Sequence, residues 1–196
     1  MKPRLGFDII LLGAPASGKD TQARLLERKF SLRAVESGNY LRSLAKNKTK
    51  VGQKLRRALE KGLPAPTELV NEFLTSTLDF APKNADLMFV GNPRLKPEAE
   101  FLVKELGKRQ RDFIVLYITL PAGEIWKRSE RRMRDDSDIH HIAERISWYR
   151  KRVNLTAKYF QKLGKLQKIN GAQTISAVSR EIMKVIYDYK KFRTTR

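Results

Sequence analysis

Residues 7–30 constrain the fold of this chain more than any other stretch. An apolar run at 7–12 is followed at 13–19 by a loop that contains two glycines. From residue 21 to residue 30, apolar residues recur at helical spacing. A buried strand, a glycine loop and a helix in this order begin a βαβ unit, so the stretch predicts a parallel sheet covered by helices.

The loop at 13–19 also predicts a ligand. Its sequence, Gly13-Ala14-Pro15-Ala16-Ser17-Gly18-Lys19, fits the pattern G-x-x-x-x-G-K and has the required strand before it and helix after it. In such a loop, backbone N–H groups point at phosphate oxygens, and the helix adds the positive end of its dipole. We therefore expect nucleoside triphosphate binding, with Lys19 reaching the β- and γ-phosphates. The following residue, commonly Ser or Thr, is Asp20 here.

Strand and helix patterns alternate along the rest of the chain. Strands are predicted at 87–90, 113–118 and 166–169. Helices are predicted within 40–61, at 67–78 with Thr67 as the N-cap, and at 97–106, 123–133, 139–153 and 175–189. This alternation predicts a single three-layer α/β/α domain with a central parallel sheet.

Composition limits the partners of the chain. With 41 Lys and Arg against 21 Asp and Glu in 196 residues, the net charge is +20, and such an excess attracts polyanions. The basic residues are dispersed and no recognition motif accompanies them, which argues against nucleic acid as the main partner. The chain has no cysteine, which excludes disulfides and zinc–thiolate sites. We expect a cytoplasmic monomer, and no membrane span because the apolar runs are short.

Five segments along the chain carry distinctive motifs. They are the loop Gly18-Lys19-Asp20-Thr21-Gln22, the segment Ser37-Gly38-Asn39-Tyr40-Leu41-Arg42, residues 62–70, the turn Gly91-Asn92-Pro93-Arg94, and the arginines from Arg128 to Arg145. In this order they resemble motifs of the adenylate kinase family, which include Gly-Lys-x-Thr-Gln, Ser-Thr-Gly-Asp-x-x-Arg, Gly-Phe-Pro-Arg and Arg-x-Asp-Asp. Because the five segments occur in the same order as the family motifs, chance similarity is a poor explanation.

The resemblance implies a fold, an activity and a domain plan. The fold would be that of a P-loop kinase, formed by residues 1–196 as one domain. The activity would be transfer of the γ-phosphoryl group of ATP to AMP or a related nucleoside monophosphate. Residues 37–70 would form the inserted lobe that binds the monophosphate. Residues 129–137 would form a minimal lid, because a single residue separates Arg132 from Arg134.

The resemblance also assigns site residues. Those implied to contact ATP are Gly13, Pro15, Ala16, Ser17, Gly18, Lys19, Asp20, Thr21, Arg128, Arg132 and Gln173. Those implied to contact the monophosphate are Ser37, Gly38, Arg42, Leu63, Pro64, Ala65, Gly91, Arg94, Glu98, Arg134 and Arg145. The residues implied to be catalytic, because they would neutralise charge on the moving phosphoryl group, are Lys19, Arg94, Arg132, Arg134 and Arg145. Mg²⁺ is expected with ATP, held through water by Thr21 and Asp20, without a direct protein ligand.

Three residues depart from the family pattern. Val90 stands where the family has an Asp that helps organise the hydration shell of Mg²⁺, and we expect Asp20 to substitute for it in part. Asn92 replaces the usual Phe, and the sequence offers no physical account of this change. Glu98 replaces the Gln that reads the acceptor base. Because ionised Glu only accepts hydrogen bonds, it favours bases with an exocyclic amine, so we expect AMP over CMP and both over UMP.

Two alternatives stay open at the level of sequence. One is a P-loop phosphotransferase with another acceptor, such as CMP, for which Glu98 and Asn92 leave room. The other is a basic nucleotide- or RNA-binding protein on a kinase fold with weak turnover, supported by Val90 and the +20 charge.

Overall fold

The structure, a computed structural model, describes residues 2–61, 63–82, 84–131 and 139–194. Within these ranges the chain forms five strands: β1 (Asp8–Gly13), β2 (Leu32–Val35), β3 (Asp86–Val90), β4 (Phe113–Thr119) and β5 (Leu166–Asn170). It also forms eight helices: α1 (Lys19–Lys29), α2 (Ser37–Ala45), α3 (Lys50–Glu60), α4 (Thr67–Asp79), α5 (Lys96–Lys108), α6 (Ala122–Glu130), α7 (Ile139–Lys162) and α8 (Ile175–Thr194). In the described part of the chain, no helix is both long and apolar enough to cross a membrane.

The five strands form one parallel sheet in the order β2-β3-β1-β4-β5. β1 lies at its centre, where Ile9 is in register with Met88 of β3 on one side and with Ile114 of β4 on the other. Every residue of β1 is buried, as expected for a central parallel strand with helices on both faces. The predicted three-layer α/β/α fold is confirmed.

Two apolar cores cover the two faces of the sheet. Alternate residues of β1 point to opposite faces, so Ile10 and Leu12 belong to one core and Ile9 and Leu11 to the other. The first core is completed by side chains from α2, α3, α4, α5 and α7. The second is completed by side chains from α1 and α8. Burial of these faces fixes the register of β1, and with it the start of the loop at 13–19.

Two details differ from the sequence-based expectation. The short strand β2 was not predicted, because it has four residues and Arg33 interrupts its apolar pattern. It pairs with β3 at the edge of the sheet. The prediction of Thr67 as an N-cap is wrong: Thr67 is the first residue of α4, and Pro66 occupies the cap position without a side-chain hydrogen bond. Proline suits the start of a helix because its fixed φ, here −53°, is close to the helical value.

The segments that carry the predicted site residues leave the sheet at one edge. The loop at 13–19 follows β1, the turn at 91–94 follows β3, and the loop at 171–174 follows β5. α2 begins two residues after β2 ends. Because the strands are parallel, their carboxyl ends share this edge, which is where ligands bind in open α/β sheets.

Candidate active site

The phosphate loop, residues 13–19, is shaped by backbone conformations that few residues adopt. Ala16 and Gly18 have positive φ angles of 61° and 91°, and the Ser17 N–H donates to the Ala14 carbonyl at 3.1 Å. A Cβ on Gly13 would collide with the Ser17 hydroxyl and lie 3.0 Å from the Ile118 carbonyl oxygen. A loop curled this tightly ahead of a helix N-terminus is the kind that binds phosphate through its backbone N–H groups.

One polar group of the loop is left for a ligand. The Ser17 side chain is buried, and its hydroxyl has no hydrogen-bond partner among the described residues. Buried hydroxyls in proteins are normally satisfied. A phosphate oxygen held in the loop would supply the missing partner, which fits the prediction that Ser17 contacts ATP.

Lys19 joins the phosphate loop to the turn after β3. Its side chain is only 17% exposed, and its Cε lies 3.0 Å from where a Cβ on Gly91 would be. Gly91 has a φ of 68°, and its N–H donates to the Leu11 carbonyl at 2.9 Å, which fixes the turn to β1. The residue expected to hold the donor phosphates therefore lies against the turn expected to hold the acceptor phosphate.

The acceptor turn, residues 91–94, positions Arg94 through its own backbone. The Arg94 Nε donates to the Gly91 carbonyl at 3.1 Å. The backbone oxygen of Arg94 accepts a hydrogen bond of 3.0 Å from the hydroxyl of Thr156, which is fully buried on α7. The guanidinium is thus presented from a turn that is fixed at both ends, as a phosphate-binding arginine requires.

α2 carries further residues expected to bind the monophosphate. Ser37 is its first residue, and the Ser37 hydroxyl lies 2.7 Å from the side-chain amide of Asn92 in the acceptor turn. The guanidinium of Arg42 folds back over Gly38, where a Cβ would lie 3.3 Å from Nη1. The structure therefore brings Ser37, Gly38 and Arg42 together at the start of this helix.

The predicted base-contacting segment joins α3 to α4. The Leu63 N–H donates to the Ala58 carbonyl at 2.9 Å, and the Leu63 side chain is 49% exposed. Ala65 is buried in the same core cluster as Leu41 of α2. The segment is therefore linked to α3 by a hydrogen bond and shares a core cluster with α2, within the predicted acceptor lobe, residues 37–70. Its contact with a base stays a prediction.

Glu98 has a task that the sequence did not indicate. One of its oxygens accepts hydrogen bonds from the N–H groups of Arg94 and Leu95, at 2.7 and 3.1 Å, which closes the N-terminus of α5. Glu98 is 2% exposed, and burial raises the pKa of its carboxyl group. The hydrogen bonds from the Arg94 and Leu95 N–H groups lower this pKa, but by less than burial raises it. Glu98 therefore stabilises the acceptor turn, and its contact with the acceptor base stays a prediction.

Two predicted ATP contacts meet on the far side of the phosphate loop. Arg128 of α6 donates to the Gly171 carbonyl at 3.0 Å and lies 3.3 Å from Glu124. Gln173, two residues further on, donates to the Asn170 carbonyl at 3.1 Å and to Glu181 at 2.6 Å. The structure thus places Arg128 and the loop of Gln173 side by side after β5.

Part of the predicted lid lies outside the described residues. Arg132 and Arg134 fall in the gap at 132–138, as does most of the proposed lid at 129–137. Arg145 lies on α7, but its side chain is also outside the described part of the chain. The roles of these three arginines stay predictions.

Two residues of the site escaped prediction from sequence. Tyr149 lies within the helix predicted at 139–153 and was given no role, yet its hydroxyl accepts a hydrogen bond of 3.1 Å from the Gly13 N–H of the phosphate loop. Asn92 was recognised as a departure from the family pattern, but its contact with Ser37 was not foreseen. The sequence offered two weak indications: Tyr149 stands among aliphatic residues of the helix pattern, and Asn92 stands where the family pattern has an apolar residue.

Comparison with known proteins agrees with this arrangement. The family model for adenylate kinase matches residues 11–165, which is more than half of the chain. An adenylate kinase from Bacteroides fragilis is 30% identical over 185 residues, covering 92% of this chain and 98% of the relative. One from Methanothrix thermoacetophila is 28% identical over 215 residues, covering 94% and 100%. These matches confirm the predicted enzyme class, a phosphotransferase with a phosphate group as acceptor, and this chain belongs to the adenylate kinase family.

Proposed function

We propose that this protein transfers the γ-phosphoryl group of ATP to AMP, giving two molecules of ADP. The observation that carries the proposal is the contact between Lys19 of the phosphate loop and Gly91 of the acceptor turn. Phosphoryl transfer requires two anions side by side and in line, with charge stabilised on the moving group. The paired placement of a donor loop and an acceptor turn supports this reaction over simple ATP hydrolysis.

The donor side would hold ATP through the phosphate loop. Backbone N–H groups of the loop and the N-terminus of α1 would bind the phosphates, and Lys19 would stabilise charge on the transferred group. On the acceptor side, Arg42 and Arg94 would bind the monophosphate, since a guanidinium can take two phosphate oxygens at once. Closure of the acceptor lobe and the lid would exclude water.

Magnesium would arrive with ATP. Among the described residues, no group of three His, Cys, Asp or Glu side chains is arranged to hold a metal ion. The Asp20 carboxylate is half exposed at the mouth of the loop, 3.5 Å from the Lys19 Nζ, and Thr21 follows it. These oxygens suit the hydrated shell of Mg²⁺, so Asp20 and Thr21 would hold the ion through water.

Production of ADP from ATP and AMP tests the proposed reaction. The wild-type protein should form ADP, and Lys19→Met should lower kcat by at least about a hundred-fold, because charge stabilisation in the transition state is lost. Lys104→Met, which changes an exposed lysine of α5, is the matched control and should keep wild-type turnover. ATP binding by the wild type without ADP formation from any monophosphate would contradict the proposal and favour the nucleotide-binding alternative.

The choice of acceptor needs its own assay. The family match supports AMP as the acceptor. Glu98 supports both AMP and CMP over UMP, because a carboxylate oxygen can accept from an exocyclic amine. Initial rates with AMP, CMP, UMP and GMP at equal concentrations would rank the acceptors. A preference for UMP would contradict the role of Glu98, and a preference for CMP would support the alternative acceptor.

The role of Asp20 can be tested separately from the reaction. Asp20→Ala should raise the Mg²⁺ concentration needed for half-maximal turnover, because a carboxylate near the hydrated ion is lost. Unchanged turnover and unchanged Mg²⁺ dependence would rule this role out.

We also propose that the enzyme is a cytoplasmic monomer. The absence of cysteine suits a reducing compartment, and the +20 charge opposes self-association. Sedimentation equilibrium at low and moderate salt would determine the oligomeric state.

A further inference from the structure

Asn92 connects the acceptor turn to the acceptor lobe. It follows β3 and is 2% exposed, as is Ser37 at the start of α2. The two side chains are 55 residues apart in sequence and meet at 2.7 Å between the Ser37 hydroxyl and the Asn92 amide. Because both side chains are buried, this contact is shielded from water. A hydrogen bond is stronger in the protein interior than in water.

The Asn92 amide also reaches the backbone on both sides of this contact. In the orientation that satisfies both of its ends, the amide oxygen accepts from the Ser37 N–H at 3.1 Å and the amide nitrogen donates to the Gly91 carbonyl at 3.3 Å. The N-cap residue of α2, Glu36, makes no capping hydrogen bond with its side chain. Asn92 therefore caps α2 from another element of the fold, satisfying one of the N–H groups that every helix start leaves unpaired.

This capped helix carries the phosphate-binding arginine of the acceptor lobe. The Arg42 guanidinium lies over Gly38, one residue after Ser37. A change in the position of the helix start would therefore move Arg42 relative to Arg94, which the acceptor turn holds by its own hydrogen bonds. On the ATP side, the Lys19 side chain approaches the same turn at Gly91, which is also held by hydrogen bonds to the Arg94 side chain and to the Leu11 carbonyl. We therefore expect ATP binding to depend less than AMP binding on the contact between Asn92 and Ser37.

We propose that Asn92 is a positioning residue for the acceptor, which aligns Arg42 with Arg94 through Ser37. The inference rests on the proposed function. The phenylalanine that the family pattern has at this place could fill the space but could not hydrogen-bond to Ser37 or cap α2. In this chain a polar connection thus replaces an apolar contact between the phosphate-binding turn and the acceptor lobe.

Kinetics of Asn92 variants test the inference. Asn92→Ala and Asn92→Leu should raise the KM for AMP by about ten-fold, the value of one buried hydrogen bond, while the KM for ATP changes by less than about two-fold. Two variants are used because leucine fills the space that alanine leaves empty. If a packing defect caused the effect, the KM for AMP would differ between the two variants. Equal increases in both KM values, or no change in either, would overturn the inference.

A double-mutant cycle with Ser37→Ala shows whether the two residues act together. Once Ser37→Ala is in place, Asn92→Ala should raise the KM for AMP by a smaller factor than it does in the wild type. Fully additive effects would overturn the inference, because Asn92 would then act without Ser37.

A control and a second readout separate this inference from other failures. Tyr189→Phe removes hydrogen bonds to Asp112 and Lys165 at the opposite end of the sheet, so it should lower thermal stability and leave both KM values unchanged. Calorimetric titration with AMP measures binding without turnover. A wild-type protein that binds AMP but forms no ADP would end the proposed function, while the AMP dissociation constants of the Asn92 variants would still decide the role of Asn92.

Discussion

At the scale of single residues, Tyr149 supports the phosphate loop from behind. Its ring packs in a small buried cluster with Ala14, Ile125 and Ile146, and its hydroxyl accepts from the Gly13 N–H. Burial raises the pKa of the Tyr149 hydroxyl, so the group stays neutral at physiological pH. α7 therefore holds the loop at its first glycine by both packing and a hydrogen bond.

Tyr149→Phe should weaken this support without removing the ring. The Gly13 N–H would lose its acceptor in a buried place, which costs roughly 1–3 kcal/mol. We expect a lower melting temperature and a higher KM for ATP, measured by thermal unfolding and initial rates. Tyr117→Phe is the control, because the Tyr117 hydroxyl donates to Asn154 in an exposed hydrogen bond. This variant should change the melting temperature and the KM for ATP little. An unchanged melting temperature in Tyr149→Phe would contradict the proposed support.

At the scale of elements, a glycine allows α2 and α3 to pack closely. A Cβ on Gly52 would overlap the carbonyl oxygen of Asn47 and lie 2.8 Å from that of Leu44. Arg56 strengthens the same corner, because its side chain donates to the Ala45 carbonyl, at 3.0 Å from Nε and 2.9 Å from Nη2. The acceptor lobe therefore depends on the absence of a side chain at Gly52.

Gly52→Ala should destabilise the protein although alanine favours helices. Backbone atoms would have to move apart, which costs roughly 1–3 kcal/mol. Gly107→Ala is the matched control, because Gly107 lies in α5 with nothing within 4 Å of the added Cβ and should gain up to about 1 kcal/mol. Chemical denaturation of both variants gives the two free energies of unfolding. Equal changes in the free energy of unfolding in the two variants would mean that the close packing at Gly52 does not contribute to stability.

At the amino ends of the strands, Asp112 ties α8 to the sheet. It accepts from Lys165 at 2.7 Å, from Tyr189 at 2.9 Å and from Arg193 at 2.7 Å. Nearby lies a cleft of about 570 Å³, opposite the active site, where Asp8 and Asp86 also pair with arginines. Because the charged side chains of this cleft already pair with one another, we interpret the cleft as a structural feature and not as a second ligand-binding site.

Asp112 should contribute to the loss of stability in acid. Burial alone would raise the pKa of Asp112, but the hydrogen bonds from Lys165 and Tyr189 and the charge of Lys165 lower it below 3.8. A lowered pKa in the folded state gives stability that is complete above 3.8 and is lost as the pH falls through the folded-state value.

We therefore expect Asp112→Asn to lower the melting temperature near pH 7, and the difference from wild type to shrink below pH 3.8. Thermal unfolding across a pH series measures this. Asp188→Asn, at an exposed position of α8, should differ from wild type by a small and constant amount. A large difference that persists at the lowest pH would contradict the linkage.

At the scale of the whole molecule, the +20 charge should make stability depend on salt. Like charges on a compact surface repel each other, and the repulsion is screened as the Debye length falls from about 30 Å at 0.01 M to about 10 Å at 0.1 M salt. The melting temperature should therefore rise with sodium chloride over this range. Sulfate at equal ionic strength separates screening from anion effects. A melting temperature that falls with salt would show that attractive ion pairs dominate.

Features that depend on neighbours along the chain could be predicted from the amino-acid sequence. The apolar run of β1, the phosphate loop and the start of α1 are adjacent, so their pattern specified a parallel sheet with a phosphate site. The ordered motifs then predicted the family, which the comparisons confirm, and proposed the residues of the candidate site. β2 escaped because a four-residue edge strand carries too weak a pattern.

Hydrogen bonds between groups that are distant along the chain could be identified only from the three-dimensional arrangement of the helices and the sheet. Asn92 lies 55 residues from Ser37, and Tyr149 lies 136 residues from Gly13, so no local pattern joins them. The sequence predicts only a base contact for Glu98, and the tertiary structure adds that one of its carboxylate oxygens closes the turn of Arg94. A buried polar group must be satisfied, but which partner satisfies it depends on the packing of whole helices against the sheet.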